Sequence, residues 1–276
     1  MQELDLSRLI TLEAFPMAQL GRTRRVQVYL PKGYTESNRS YPVIYMHDGQ
    51  TIFDGENAFG GRNWHVHSSL DHFFDDQSGV ILVGIDNGTE HNGLCRMYEY
   101  SPWPMDQAFE LPSWDPAVKQ SGGQGKAYVE FIVNELKPYI DANYRTQSQR
   151  EFTAIAGSSM GGYISLYAAL EHPNTFSKAG VFSPALWFNE QEMLAYLSKA
   201  EPQQPTQIYL DMGTDETSDH TLEFEKIYLA GAEKLNAVLS EKPLLDLKYI
   251  IGEGDKHDGD AWGRRFPEML EHFYAD

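Results

Sequence analysis

Six residues, Gly157-Ser158-Ser159-Met160-Gly161-Gly162, separate an apolar run, Phe152 to Ala156, from a segment of helical spacing, Tyr163 to Leu170. A strand that turns at once into a helix crowds its own backbone at the bend. The positions two before and two after the central serine must therefore carry small side chains, and glycine stands at both. Ser159 is expected at the tip of this turn, facing the positive end of the following helix. There the helix end and the Met160 N–H would stabilise negative charge on the oxygen of a tetrahedral intermediate. The bland alternative is a tight turn that merely packs a helix on a sheet, and the strand and helix flanks argue against it.

The rest of the chain repeats the same alternation. Short β-branched or aromatic runs occur at Arg25 to Leu30, Pro42 to Met46, Val80 to Ile85, Glu151 to Ala156, Thr206 to Asp211 and Leu247 to Ile251. Val80-Ile81-Leu82-Val83-Gly84-Ile85 is apolar throughout, which suits a strand covered on both faces. Between the runs lie helical patterns. The clearest is Tyr128, Phe131, Ile132, Leu136, Tyr139 and Ile140, which Pro138 should kink or end; others are Leu222 to Leu239 and Trp262 to Tyr274. Strands alternating with helices predict an α/β fold with a central, largely parallel sheet. Pro31 to Arg39 is too short for a crossover helix, so the first two strands should start the sheet antiparallel. Tyr100 to Gly125 is rich in Pro, Trp, Ser and Gly, and it reads as a long surface loop of functional interest. With 276 residues and no internal repeat or linker, one domain over residues 1–276 is expected.

Composition narrows the function. A formal charge of −18 opposes binding to nucleic acid or anionic lipid, both of which call for clustered Lys and Arg. No segment approaches the roughly 18 uninterrupted apolar residues of a membrane span. Met1 to Ile10 does not resemble a signal peptide, and the single cysteine, Cys95, rules out an intrachain disulfide. A cytoplasmic protein is the default expectation.

A serine hydroxyl is a weak nucleophile until a base takes its proton, and on this kind of sheet the chain order is Ser, then Asp or Glu, then His. His257 follows the last expected strand in Gly254-Asp255-Lys256-His257-Asp258-Gly259 and precedes the final helix, where such a base belongs. His220 sits on a polar run that suits a surface or cap, and His272 lies inside the final helix. The acid should follow Gln207 to Asp211, where Asp211, Asp215 and Glu216 compete. Glu216, three residues beyond Gly213, is preferred over Asp215. It would fix the His257 tautomer and stabilise the imidazolium. A second oxyanion donor is expected in the turn His47-Asp48-Gly49-Gln50, with the Gln50 N–H the candidate by position.

Taken together, these segments resemble the putative esterase family, whose members include enterochelin esterase-like enzymes, feruloyl and acetyl esterase domains, S-formylglutathione hydrolase and the mycolyltransferases. The resemblance runs nearly end to end. It rests on Met46-His47-Asp48-Gly49-Gln50, Gly84-Ile85-Asp86-Asn87 with Arg96, Glu99, Tyr100 and Pro102, and Glu135 to Asp141. It continues through Gly157 to Gly162, Phe182-Ser183-Pro184 with Trp187, Gly213 to Glu216, and His257 with Trp262. It implies an α/β-hydrolase sheet of about eight strands with helices on both faces. It also implies Ser159, Glu216 and His257 at the catalytic positions, Gln50 and Met160 N–H groups as the oxyanion hole, and no metal or organic cofactor. Trp64, Arg96, Tyr100 and Trp187 occupy segments that line the cleft in relatives, where Arg96 would suit a carboxylate or phenolate; the alternative is that the tryptophans pack loops and Arg96 pairs locally. One departure is that Cys95 is not beside the oxyanion loop, which argues against S-formylglutathione as substrate.

The expected activity is hydrolysis of small carboxylic esters, short acyl or aryl, through an acyl-enzyme on Ser159. An acyltransferase using the same acyl-enzyme and a non-catalytic binding module on the same fold are the competing readings.

Overall fold

The apolar run before Asp86 forms a strand, Ile81–Ile85, buried on both faces near the centre of an eight-stranded sheet. The computed structural model describes residues 3–53, 62–91, 93–110, 116–216 and 222–275. In chain order the elements are β1 (Leu9–Met17), β2 (Arg22–Tyr29), β3 (Val43–His47), α1 (Val66–Phe73), β4 (Ile81–Ile85), α2 (Cys95–Glu99), α3 (Gly125–Phe131) and α4 (Lys137–Asn143). They continue as β5 (Thr153–Ser158), α5 (Met160–Glu171), β6 (Lys178–Phe182), α6 (Glu190–Lys199), β7 (Thr206–Asp215), α7 (Leu222–Ser240), β8 (Leu245–Lys256) and α8 (Gly259–Tyr274).

The strand order is β1-β2-β4-β3-β5-β6-β7-β8. β1 and β2 are antiparallel to each other, β2 is antiparallel to β4, and every pair from β4 to β8 is parallel. The antiparallel start is therefore present, but not as a hairpin of the first two expected strands. β4 intervenes between β2 and β3, and β2 takes its antiparallel partner from β1.

Alternate side chains along each strand enter different cores, as the twofold strand period requires. Val43 and Tyr45 face the larger core, with α3 to α7; Ile44 and Met46 face the smaller one, with α1 and α8. Phe182, on the smaller side, is enclosed by Trp64, Tyr209 and Phe266. Truncating such a ring to alanine costs about 3–5 kcal/mol.

Pro138 neither ends nor breaks its helix. A π-turn, Ile132–Leu136, joins α3 to α4, and the Lys137 N–H bonds to Ile132 O. The wider turn accommodates a residue that has no N–H to donate, a recognised way of absorbing a helical proline. The Tyr100 to Gly125 stretch is less superficial than its composition suggests. Tyr100, Ser101, Met105, Val118 and Ser121 are buried, and Met105 N–H bonds to Ser121 O at 3.0 Å.

Candidate active site

β5 ends at Ser158, and α5 begins at Met160, so Ser159 alone makes the turn. Its backbone is held at φ 57° and ψ −121°, outside the ordinary regions for a residue with a side chain. Two anchors impose this: Ser159 N–H bonds to Phe182 O at 2.9 Å, and Ala185 N–H to Ser159 O at 3.1 Å. The glycines are required because a Cβ on Gly157 would lie 2.9 Å from the Gly161 carbonyl carbon, and one on Gly162 2.9 Å from Phe182 O. The first amide of α5 to reach a partner within the turn is that of Tyr163, bonded to Ser159 O at 3.0 Å. Met160 therefore belongs to the first helical turn, whose N–H groups have no intrahelical acceptor.

The next two candidates are brought together by strand register. Asp215 on β7 pairs with Lys256 on β8, so the residues that follow, Glu216 and His257, leave the sheet side by side. A bulge sets this register: between the pairs Gly213↔Gly252 and Asp215↔Lys256, β8 carries three residues against one on β7. Gly254, within the bulge, adopts φ 71°, and its N–H bonds to Thr214 Oγ1 at 2.8 Å. Without these extra residues His257 would not stand opposite Glu216.

Glu216 Oε2 lies 2.5 Å from His257 Nδ1. Oε1 accepts from Ser183 Oγ at 2.5 Å and from Gly213 N–H at 2.8 Å. Burial pushes the Glu216 carboxyl up, but His257 and these two donors more than offset it, so its pKa falls below the ordinary range. An ionised Glu216 accepts from Nδ1–H, which leaves the lone pair on Nε2. Asp215 is half-exposed, 3.9 Å from Lys256 Nζ, and does not touch His257. Asp211 is buried at the end of the Arg265 fork, 2.9 Å and 3.2 Å from Nε and Nη2. His220 lies outside the described residues, and His272 on α8 meets Asp246 O at 3.2 Å.

No hydrogen bond joins Ser159 Oγ to His257 among the described residues; Nε2 instead faces Tyr228 Oη at 3.4 Å. Such contacts commonly tighten only when substrate is bound. Trp262 stands edge-on to the His257 ring, 4.9 Å between centroids, and donates Nε1–H to Ser183 Oγ at 2.8 Å.

Gln50 lies on a 3-10 turn, Gly49–Thr51, at the end of β3. The turn is entered through Asp48 at φ 58°, a left-handed conformation that Asp tolerates better than most residues. Asp48 is fixed by Arg96, whose Nε and Nη2 each reach one carboxylate oxygen at 2.8 Å, and by Asn87 Nδ2 at 2.6 Å. Burial raises the Asp48 carboxyl, but Arg96 and Asn87 bring it below its ordinary value. Asp48 N–H bonds to Tyr100 Oη at 3.2 Å, and Asn87 N–H to Gln50 Oε1 at 3.0 Å. His47 lies beneath, its Nδ1 2.9 Å from Tyr128 Oη; burial drives its pKa down to about 3, so it is neutral.

These contacts involve the four residues expected to line the pocket. Arg96 does not offer a free fork to a substrate carboxylate, because its fork holds Asp48 and its Nη2 also reaches Ser158 O at 3.2 Å. Tyr100 is fully buried under the same loop. Trp64, 3% exposed, packs against Trp262, Phe182 and Phe266 as part of the smaller core. Trp187, 4% exposed, stacks on Phe109 and meets Phe224 edge-on. Trp64, Tyr100 and Trp187 are buried, and Arg96 is partly exposed and braces the Asp48 turn. Ser183, Arg265, Trp262 and Tyr228 carry contacts that sequence reasoning did not assign. Only Phe182-Ser183-Pro184 and Trp262 gave any signal, as parts of the family pattern.

Comparison with known proteins identifies the group. A family model described as Putative esterase matches residues 17–273. This chain belongs to the Putative esterase family. Membership makes it an ester-hydrolysing enzyme on an α/β-hydrolase fold. Among similar proteins is Bacillus subtilis YbbA, an uncharacterized protein, 25% identical over 256 residues that span 91% of this chain and 93% of YbbA. A siderophore enterobactin esterase of Emericella nidulans is 24% identical over 179 residues, 62% of this chain and 56% of that protein. The crystal structure of an IroE-like serine hydrolase from Shewanella oneidensis superposes with a TM-score of 0.72 at 24% identity, covering 96% of this esterase and 78% of that chain. No helix among the described residues of this esterase is long and apolar enough to cross a membrane.

Proposed function

We propose that this esterase is a serine carboxylesterase that hydrolyses small esters, short acyl or aryl, through an acyl-enzyme on Ser159. The observations that carry the reading are the Glu216 Oε2 to His257 Nδ1 contact, set by the register of β7 and β8, and the strained strand-to-helix turn at which Ser159 is held. His257 Nε2 takes the Ser159 proton as Oγ attacks the carbonyl carbon, and Glu216 stabilises the imidazolium that results. The tetrahedral oxyanion is received by the N–H groups of Met160 and Gln50. His257 then gives the proton to the departing alcohol. Water attacks the acyl-enzyme by the same route, with His257 again as base, and the acid leaves.

A siderophore ester, such as the enterobactin relative is named for, belongs in the substrate screen beside short acyl and aryl esters. The test is steady-state hydrolysis of 4-nitrophenyl acetate and butyrate. Ser159→Ala is expected to lose at least about a thousandfold in kcat/KM. Retention of wild-type activity by that variant would remove Ser159 from the mechanism.

A further inference from the structure

Tyr228 sits on α7, 1% exposed, with its ring centroid 4.7 Å from that of His257 and its Oη 3.4 Å from Nε2. Phe224, 5.8 Å away, and Trp187, 6.4 Å away, hold the phenol ring in place. Resting on the serine esterase reading, we propose that Tyr228 is a catalytic residue that donates a hydrogen bond to the alcohol oxygen of the scissile ester as it departs.

The argument starts from where the leaving oxygen must be. Glu216 occupies Nδ1, so the proton taken from Ser159 resides on Nε2. When the tetrahedral intermediate collapses, the carbon–oxygen bond to the alcohol breaks and its electron pair goes to the alcohol oxygen. The oxyanion lone pair re-forms the carbonyl, and the alcohol oxygen takes the proton from Nε2. That oxygen must approach Nε2 to about 2.6–3.2 Å to receive it. A phenol oxygen 3.4 Å from the same nitrogen is placed to share it, donating to the negative charge that grows as the bond breaks. Tyr228 keeps its own proton throughout, so no further acid or base is needed.

The benefit depends on the alcohol. A nitrophenolate leaves readily without assistance, whereas an alkoxide carries nearly full charge and depends on every donor that meets it. Tyr228 would thus extend the enzyme's range from activated aryl esters to alkyl esters.

The test uses Tyr228→Phe, which keeps the ring and its packing, and measures kcat/KM for 4-nitrophenyl, phenyl and ethyl acetates. The rate of phosphonylation by a fluorophosphonate is measured in parallel to report on Ser159 and His257. The expected result is near wild-type labelling, less than about a twofold loss on the nitrophenyl ester and about a ten- to hundredfold loss on the ethyl ester. An equal loss across the three esters, or slowed labelling, would assign Tyr228 to holding the His257 ring and overturn the proposal. No loss on any ester would overturn it as well. Failure of wild type to label would reject the Ser159 reading and the Tyr228 role with it, an outcome distinct from failure of Tyr228 alone.

Discussion

The Ser183 hydroxyl stands 2.5 Å from Glu216 Oε1, and the chemistry of its neighbours fixes which way its proton points. Trp262 Nε1 at 2.8 Å and Arg265 Nη2 at 3.2 Å also meet Ser183 Oγ, and both are groups that only donate. Ser183 accepts from both and must therefore donate to Glu216. It does so from a backbone at φ 41°, tied by its N–H to Asp211 Oδ1 at 3.0 Å. The hydroxyl links the Arg265 and Asp211 pair to the carboxylate that holds His257.

Ser183→Ala is expected to lower kcat/KM about tenfold and to destabilise the fold by about 1–3 kcal/mol, because it leaves buried donors of Trp262 and Arg265 unmatched. Kinetics on 4-nitrophenyl acetate and thermal melts measure the two effects. A melt unchanged within error would show that this hydroxyl is dispensable to the network.

Glu216 gives a pH signature. Burial raises its pKa, but His257, Ser183 and Gly213 lower it further, so the folded value lies below the ordinary 4.5. A depressed carboxyl stabilises the fold above its unfolded pKa, and that contribution is lost as pH falls from 4.5 through the lower folded value. Glu216→Gln should therefore lose activity and also shed this part of the acid-side decline in stability. Asp215→Asn, at a half-exposed carboxylate, should change neither. Denaturant melts from pH 3 to 7 compare the three proteins.

Asp86 behaves in the opposite sense. Burial raises its pKa from 3.8 to about 6, against the pull of Arg25, 3.3 Å away. A carboxyl raised on folding is penalised when ionised, so its cost is absent below about 3.8 and fully present above about 6. Relative to wild type, Asp86→Asn should be more stable at pH 8 than at pH 4, by up to about 3 kcal/mol. The difference in unfolding free energy at the two pH values measures this; a constant difference would contradict it.

Arg96 is expected to act on structure more than on substrate choice. Arg96→Met leaves Asp48 as an uncompensated buried carboxylate, which costs about 3–5 kcal/mol, and frees the turn that carries Gln50. Its melting temperature and kcat should fall together on every ester. A loss confined to anionic substrates, with stability intact, would return Arg96 to a substrate-binding role.

The parts legible in the sequence were those that local rules dictate. The Gly157 to Gly162 turn needed glycines for steric reasons that hold in any context, and His257 and Glu216 could be placed because each follows an apolar strand. β6 escaped notice because Lys178-Ala179-Gly180-Val181-Phe182 is short and contains Ala and Gly where β-branched residues would have signalled a strand. β1, with Pro16 and a bulge after Leu12, lacks a clean alternation. The contacts of Arg96 with Asp48, Ser183 with Asp211 and Glu216, Arg265 with Asp211 and Ser183, and Tyr228 with His257 join positions 28 to 82 apart, distances that only the packed sheet brings together. The extra residues of β8 that align His257 with Glu216 are likewise a property of strand register, invisible until β7 and β8 are paired.

The most direct test of the account is the intact mass of wild type and Ser159→Ala after treatment with a fluorophosphonate. A single adduct on wild type and none on the variant is the predicted result, since only an activated Ser159 should react; no adduct on wild type, or an equal adduct on both, would contradict Ser159 as the nucleophile.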